Sequence, residues 1–419
     1  MANNNKHTGP NVPALRFPEF SGEWIESKLG DIADFSKGAG ISKDQRAEKG
    51  NPCILYGELY TRYKSEVITN VFSKTALPDS DLVKSKANDI IIPASGETAE
   101  DIATARCVPF DNILLGGDLN IIRLHEQDGK FFSYQLNGVR KYDIATIAQG
   151  VSVVHLHAGD LKGITVKYPS HIAEQEKISQ ILGLIDDRIA TQSKIIEELT
   201  TLRSALYDSM FCSPGQEMPK FRIQSFSGKW QLCQLNEICS RKSIKNKDNL
   251  YSRVLTIAAQ HGLVDQESFF KKRIASENLE SYLCLEKGDF AYNKSYSSDY
   301  PWGAVKRLSN IDKGIISPLY ICFTPKPEVV DPDYLAHYFE STKWHSGISE
   351  ISGEGARNHG LLNMSVIDYF NTCHRIPGLD EQKAIARRLN AIAHKLQTEQ
   401  EYLELLNRQK DCFLKQMFI

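Results

Sequence analysis

Pro13-Ala-Leu-Arg16-Phe-Pro-Glu-Phe20-Ser21-Gly22-Glu-Trp24 is written a second time as Pro219-Lys-Phe-Arg222-Ile-Gln-Ser-Phe226-Ser227-Gly228-Lys-Trp230. The offset is 206 residues without a gap, and it continues to Leu29 and Leu235 and to Ile32 and Ile238. Agreement at Pro, Arg, Phe, Ser, Gly, Trp, Leu and Ile in one register identifies a tandem duplication. The far edges of the two halves repeat as well. Glu174-Gln175 answers Glu381-Gln382 at an offset of 207, each pair following a proline, Pro169 and Pro377. From there both halves run ungapped to Met210-Phe211 and Met417-Phe418. Between these edges only punctuation is shared. Asn88-Asp89-Ile90 stands opposite Gly288-Asp289-Phe290, Asp118-Leu119 opposite Pro318-Leu319, and Asp160 opposite Asp368.

The stretch from about residue 172 to 211 has no proline, one glycine and many strong helix formers. Its apolar residues alternate at spacings of four and three: Ile178, Leu182, Ile185, Ile189, Ile196, Leu199, Leu206 and Met210. That is a coiled-coil seam, with Gln192 and Arg203 as its polar members. The second copy reads Ile385, Leu389, Ile392, Leu396, Leu403, Leu406, Phe413 and Met417, with Glu399 and Lys410 at the same two polar positions. Parallel pairing would set Arg203 beside Lys410. Antiparallel pairing sets Arg203 against Glu399 and Gln192 against Lys410, so the seam predicts an antiparallel pair. Roughly 40 residues span about 60 Å as a helix, long enough to act as a spacer.

A chain of 419 residues exceeds one ordinary core. The predicted class is α/β: two mixed α/β domains in a pseudo-twofold tandem repeat, joined and spaced by two long antiparallel coiled-coil helices. The expected boundaries are a flexible extension at 1–12, a domain at 13–168, a central helix at 169–212, a second domain at 213–376 and a C-terminal helix at 377–419. Short apolar runs predict strands at Asp89–Ile92, Asn112–Leu115, Leu119–Ile122, Val151–Val154, Asp289–Tyr292 and Leu319–Phe323. Helices are expected at Phe131–Lys141 and Pro332–Ser346. No apolar run is long enough to span a bilayer. The nine cysteines form no C-x-x-C pair, which fits a reducing cytoplasm.

Catalytic motifs are absent: there is no phosphate-binding P-loop, no dinucleotide fingerprint and no amino-methyltransferase tetrapeptide. Glu381-Gln-Lys383 superficially matches the tail of a nuclease motif, yet it opens a helix and its repeat reads Glu174-Gln-Glu176. The favourable field of a helix N-terminus for acidic side chains explains both copies. His155-x-His157 lacks a spaced Cys or carboxylate partner, so no metal site is expected. What remains are clusters suited to nucleic acid. Lys37, Arg62-Tyr63-Lys64, and Ser95 with Glu97-Thr98 are the candidates in the first half; Arg241-Lys242, Lys294, Tyr296, Tyr300 and Arg357-Asn358-His359 are those in the second. Arg, Asn, Lys and Glu can read base edges, while Lys, Ser and Tyr anchor phosphates. A net charge of −2 argues weakly against a free-standing DNA binder, so positive charge must be local or supplied by partners.

The duplicated Phe-Ser-Gly-x-Trp openings, each leading to Leu-x-x-Ile, and the two Glu-Gln entrances to long heptad helices resemble the specificity subunit of type I restriction–modification systems. The likeness spans nearly the whole chain. It implies two target-recognition domains, each reading one half of a split double-stranded DNA target, with the helices setting the spacer. It also implies two methyltransferase subunits that hold S-adenosylmethionine and methylate adenine, and restriction subunits that use ATP and Mg. This chain would itself carry no cofactor and no catalysis. The competing expectation is a duplicated coiled-coil adaptor for protein or ligand.

Overall fold

In the computed structural model, residues 11–78, 80–150, 152–259, 261–272, 278–352 and 360–419 are described. They form two compact units, Met1–Lys194 with Glu401–Ile419, and Ile195–Gln400.

The first unit is built on an antiparallel sheet ordered Ala33–Lys37, Leu119–Leu124, Asp89–Pro93, Arg106–Val108. The second unit repeats it as Cys239–Arg241, Ile321–Pro325, Phe290–Asn293, Ala304–Arg307. Each unit adds another four-stranded sheet with one parallel pair, between Asn51–Ile54 and Leu114–Leu115 in the first and between Val254–Ala258 and Lys313–Ile316 in the second. The central strands are apolar on both faces (Ile90, Ile91 and Ile92 are fully buried), which is why they read as continuous runs rather than alternating ones. The two predicted helices are each interrupted. Gly129–Asn137 stops at Gly138, whose ψ of −105° leaves the helical region, before Lys141–Thr146. Pro332–Glu340 stops at an extended Ser341 before His345–Ile351.

The duplicated opening motif is an anchor. Arg16 donates two hydrogen bonds of 2.8 Å to the Glu174 carboxylate and two more to the carbonyls of Ser21 and Gly22. Arg222 does the same to Glu381, Ser227 and Gly228. The neighbouring glutamines fix the next element. Gln175 accepts from the backbone N–H of Asp128, and Gln382 from that of Asp331, the residues that cap Gly129–Asn137 and Pro332–Glu340. Glu174 and Glu381 are therefore buried partners of a forked arginine. That role is more specific than the helix-terminus preference expected of them, and such bidentate pairs are among the strong hydrogen bonds.

Two long helices, Ile172–Met210 and Leu379–Gln416, emerge from these anchors. They run antiparallel. In the first unit Ile178 and Leu182 pack near Phe413 and Met417, while Arg188 reaches the Tyr402 hydroxyl at 2.7 Å. In the second, Leu206 and Met210 pack with Ile385 and Leu389. Seam residues near the anchors are buried, whereas Ile189, Ile196, Leu199, Ile392 and Leu403 are half-buried.

The polar seam partners differ from expectation. Lys410 is met by Asp186 at 2.6 Å and by Glu66 at 2.5 Å, carboxylates outside the heptad seam. A buried ammonium needs anionic partners, and a glutamine such as Gln192 could not neutralise it. Glu399 pairs with Lys395 one turn away on its own helix, and the buried Nε of Arg203 has no hydrogen-bond partner. The antiparallel direction stands.

Buried histidines make the second unit acid-sensitive. His374 is enclosed between the Tyr338 hydroxyl at 3.0 Å and Thr372 Oγ1 at 2.8 Å, and burial pushes its pKa down to about 4 from 6.5. Burial lowers His337 and His345 too. A depressed folded pKa means that the unfolded chain binds the proton first. Stability is thus complete above about pH 6.5 and is lost as pH falls toward 4. For His374 alone the loss at pH 4 is about 3 kcal/mol. Denaturant titrations at pH 7.5 and 4.5 should show this loss, and His374→Gln should flatten the pH dependence.

Candidate nucleic-acid interface

In both units the strand that follows the central turn pairs with a segment arriving from far along the chain. Ser95–Gly96 pairs with Val154–His155 in the first unit, and Ser295 bridges to Leu361 in the second. The Tyr296 N–H donates to the Gly360 carbonyl at 3.1 Å and the Leu362 N–H to the Lys294 carbonyl at 2.9 Å. Segments read separately in the sequence are therefore neighbours. Arg357, Asn358 and His359 lie outside the described residues.

The side chains sort by environment. In the first unit Glu97 is exposed beside Tyr60, whose phenol is held up in pKa by burial, with Tyr56, Asp101 and Glu97 adding to the shift. Gly96 is required here, because a Cβ would sit 2.4 Å from the Ile102 side chain. Ser95 is buried, and Thr98 is spent as a helix cap, accepting from the Asp101 N–H at 3.1 Å. Tyr63 is a core residue: it follows Leu59 by one helical turn, so both point inward, and its hydroxyl accepts from the Phe72 N–H. Tyr63 and Ser95 are thus buried rather than presented at the surface. Arg62 remains at the surface, 3.2 Å from Glu58 and stacked over the exposed Phe72 ring at 4.7 Å. Lys64 and Lys37 are exposed, Lys37 at the end of an edge strand.

Arg241 is exposed at the corresponding strand end of the second unit. Lys242 is not free to bind phosphate, since its ammonium is 3.1 Å from the buried Asp289 carboxylate. Beyond it lies a concavity of about 660 Å³ walled by Ile244, Lys245, Lys247, Leu250, Tyr251 and Lys313. Asn246 holds the wall in place: it is 1% exposed, accepts from the Tyr251 N–H and donates to the Tyr251 and Leu279 carbonyls. Lys245 and Lys247 are exposed beside the apolar Ile244 and Leu250. The run Arg241-Lys-Ser-Ile-Lys245-Asn-Lys247 carries four cations in seven residues, which is the signal of this wall in the sequence. Lys294 is half-buried, Tyr296 packs on the main core, and Tyr300 leans on a smaller one. Tyr300 instead lines a different cavity with Arg203.

Residues 21–201 match the model of the type I restriction modification DNA specificity domain. The chain is also 23% identical over 422 residues to the type I restriction enzyme MjaVIII specificity subunit of Methanocaldococcus jannaschii, covering 94% of this chain and 91% of that one. The chain is thus similar to specificity subunits of type I restriction–modification systems. Its fold is similar to the crystal structure of the S subunit from M. genitalium, with a TM-score of 0.63, 17% identity, and coverage of 97% of this chain and 99% of that one. It is also similar to a chain from a study of complex assembly and conformational transition of the type I R-M system, with a TM-score of 0.52, 13% identity, and coverage of 94% and 97%. No described helix is long and apolar enough to cross a membrane.

Proposed function

We propose that each unit reads one half of a bipartite DNA target and that the antiparallel helices fix the distance between the halves. One observation carries this reading. The two units share a sheet order and a long-range loop bridge, yet the side chains at those loops are unlike: Glu97 and Tyr60 in one, Lys294 and Tyr296 in the other. A duplicated scaffold with unlike reading surfaces suits an asymmetric split site. Exposed Lys37, Arg62, Lys64, Arg241, Lys245 and Lys247 would anchor phosphates, and Glu97 would accept from a cytosine amino group.

Two methyltransferase subunits would dock on the helical region, bringing S-adenosylmethionine for adenine methylation. Restriction subunits would bring ATP- and Mg-dependent cleavage, and the assembly would work in the cytoplasm. The chain's near-neutral charge supports such sharing, because a clamp completed by partners need not be basic by itself. Methylome sequencing with and without the gene tests the reading. Its loss should abolish one bipartite adenine-methylation motif, and an unchanged methylome in an active system would exclude the role. Exchanging residues 30–165 for another such domain should rewrite one half-site and leave the other and the spacer intact.

A further inference from the structure

Seam position 203 in the first helix and position 410 in the second are repeats of one another, at the same offset of 207 that relates the helices. They meet opposite fates. Lys410 has two carboxylates, Asp186 and Glu66, within 2.6 Å. The repeat of Asp186 in the second helix is Ala393. Ala393 lines a cavity of about 460 Å³ in the second unit, and Arg203 forms part of its wall. The Arg203 Nε is buried without a hydrogen-bond partner.

The cavity's other cations are already matched: Lys306 bonds Glu340 at 2.6 Å and Arg307 bonds Asp333 at 2.5 Å. His337 is held by the Tyr207 hydroxyl and by Asn390. Among the described residues, the single carboxylate of the wall is that of Glu340. The second unit thus keeps the seam cation and has lost the anion that answers it in the first.

We propose that this cavity receives a carboxylate side chain from a partner polypeptide, with Arg203 as the receiving cation. The proposal rests on the reading that the chain works inside a complex, and it assigns the partner as the methyltransferase subunit. A duplex phosphate fits the site poorly. Phosphates on a double helix meet cations that protrude, whereas the Nε of this guanidinium is buried, in a cavity wall shared with Tyr300 and His337. An Asp or Glu side chain can enter such a recess and form a forked pair with the guanidinium. In the first unit the corresponding position is filled from within, so the two halves would grip their partners unequally.

The test supplies the missing anion internally. Ala393→Asp places on the second helix the carboxylate that Asp186 places on the first. It should raise the melting temperature of the free chain by about 2–4 °C, and should not do so in an Arg203→Met background. The same Ala393→Asp chain should bind the methyltransferase subunit at least about tenfold more weakly, as should Arg203→Met, while the affinity of the free chain for a DNA duplex is unchanged. A chain that is stabilised by Ala393→Asp yet assembles normally would overturn the proposal. So would absence of any stabilisation, or loss of duplex affinity with assembly intact, which would assign the recess to phosphate. If the unaltered chain failed to assemble with the methyltransferase subunit, both this proposal and the functional reading beneath it would fall; normal assembly beside unaffected variants removes the proposal alone.

Discussion

Lys410→Met should destabilise the first unit by about 3–5 kcal/mol, the usual cost of leaving buried charge uncompensated. Lys410 stands between Glu66 and Asp186, each side chain at most 13% exposed, and its ammonium lies over the Tyr134 ring. Asp186 also accepts the Tyr134 hydroxyl at 2.7 Å and the Ser65 hydroxyl at 2.9 Å, so one ion cluster joins both helices to the domain. Removing the cation leaves two adjacent carboxylates in a poorly solvated site. Burial already raises the Glu66 pKa against the pull of Lys410. In the variant that rise should grow, so the penalty is full at neutral pH and fades on acidification as Glu66 takes up a proton. Adding Glu66→Gln and Asp186→Asn to Lys410→Met should recover most of the loss, since breaking such a cluster costs more than replacing it. Denaturant melts of the three chains at pH 7.5 and 5 check this, and equal stability of Lys410→Met and the parent would exclude it.

Phe418→Ala should cost the first unit about 3–5 kcal/mol, and Phe211→Ala should cost the second about as much. Phe418 follows the second long helix, yet its ring is buried against Phe131 at 5.0 Å and Trp24 at 6.4 Å. Met417 joins the same core, and the last carbonyl accepts from Arg140 at 2.7 Å. Phe211 does the same beyond the first helix, against Tyr334 at 5.4 Å and Tyr338 at 5.6 Å. Each core is therefore completed by the end of a helix that begins in the other unit. Hydrogen exchange should localise the two effects, with Phe418→Ala loosening strands of the first unit and Phe211→Ala those of the second. An equal response of both units to either change would contradict the assignment.

Much of the architecture was legible because it is local or repeated. Heptad spacing depends on which face of a helix is covered, and that is written at intervals of three and four. The Pro-to-Trp motif was legible as a repeat, but its purpose was not: the Arg16–Glu174 fork joins residues 158 apart, and nothing local marks them as partners. The contact surface was legible only in part. Tyr63 and Arg62 are neighbours in sequence, yet one is buried in the core and the other lies at the surface, since a single turn of helix decides which way each points. Lys242 looked like a phosphate anchor until Asp289, beside it across the sheet, was seen to hold it. Lys245 and Lys247 were visible as a charge run and gained weight only once the buried Asn246 was seen to fix their loop.

The sequence by itself determined the duplication and the two long helices, because periodicity and repetition need no knowledge of distant contacts. Tertiary structure decided which charges answer which. The seam pattern placed Arg203 and Lys410 at one repeated position, and only packing showed that Lys410 finds Asp186 and Glu66 while Arg203 faces a cavity. A buried charge takes its partner from whatever element folds over it, and Glu66 comes from 344 residues away.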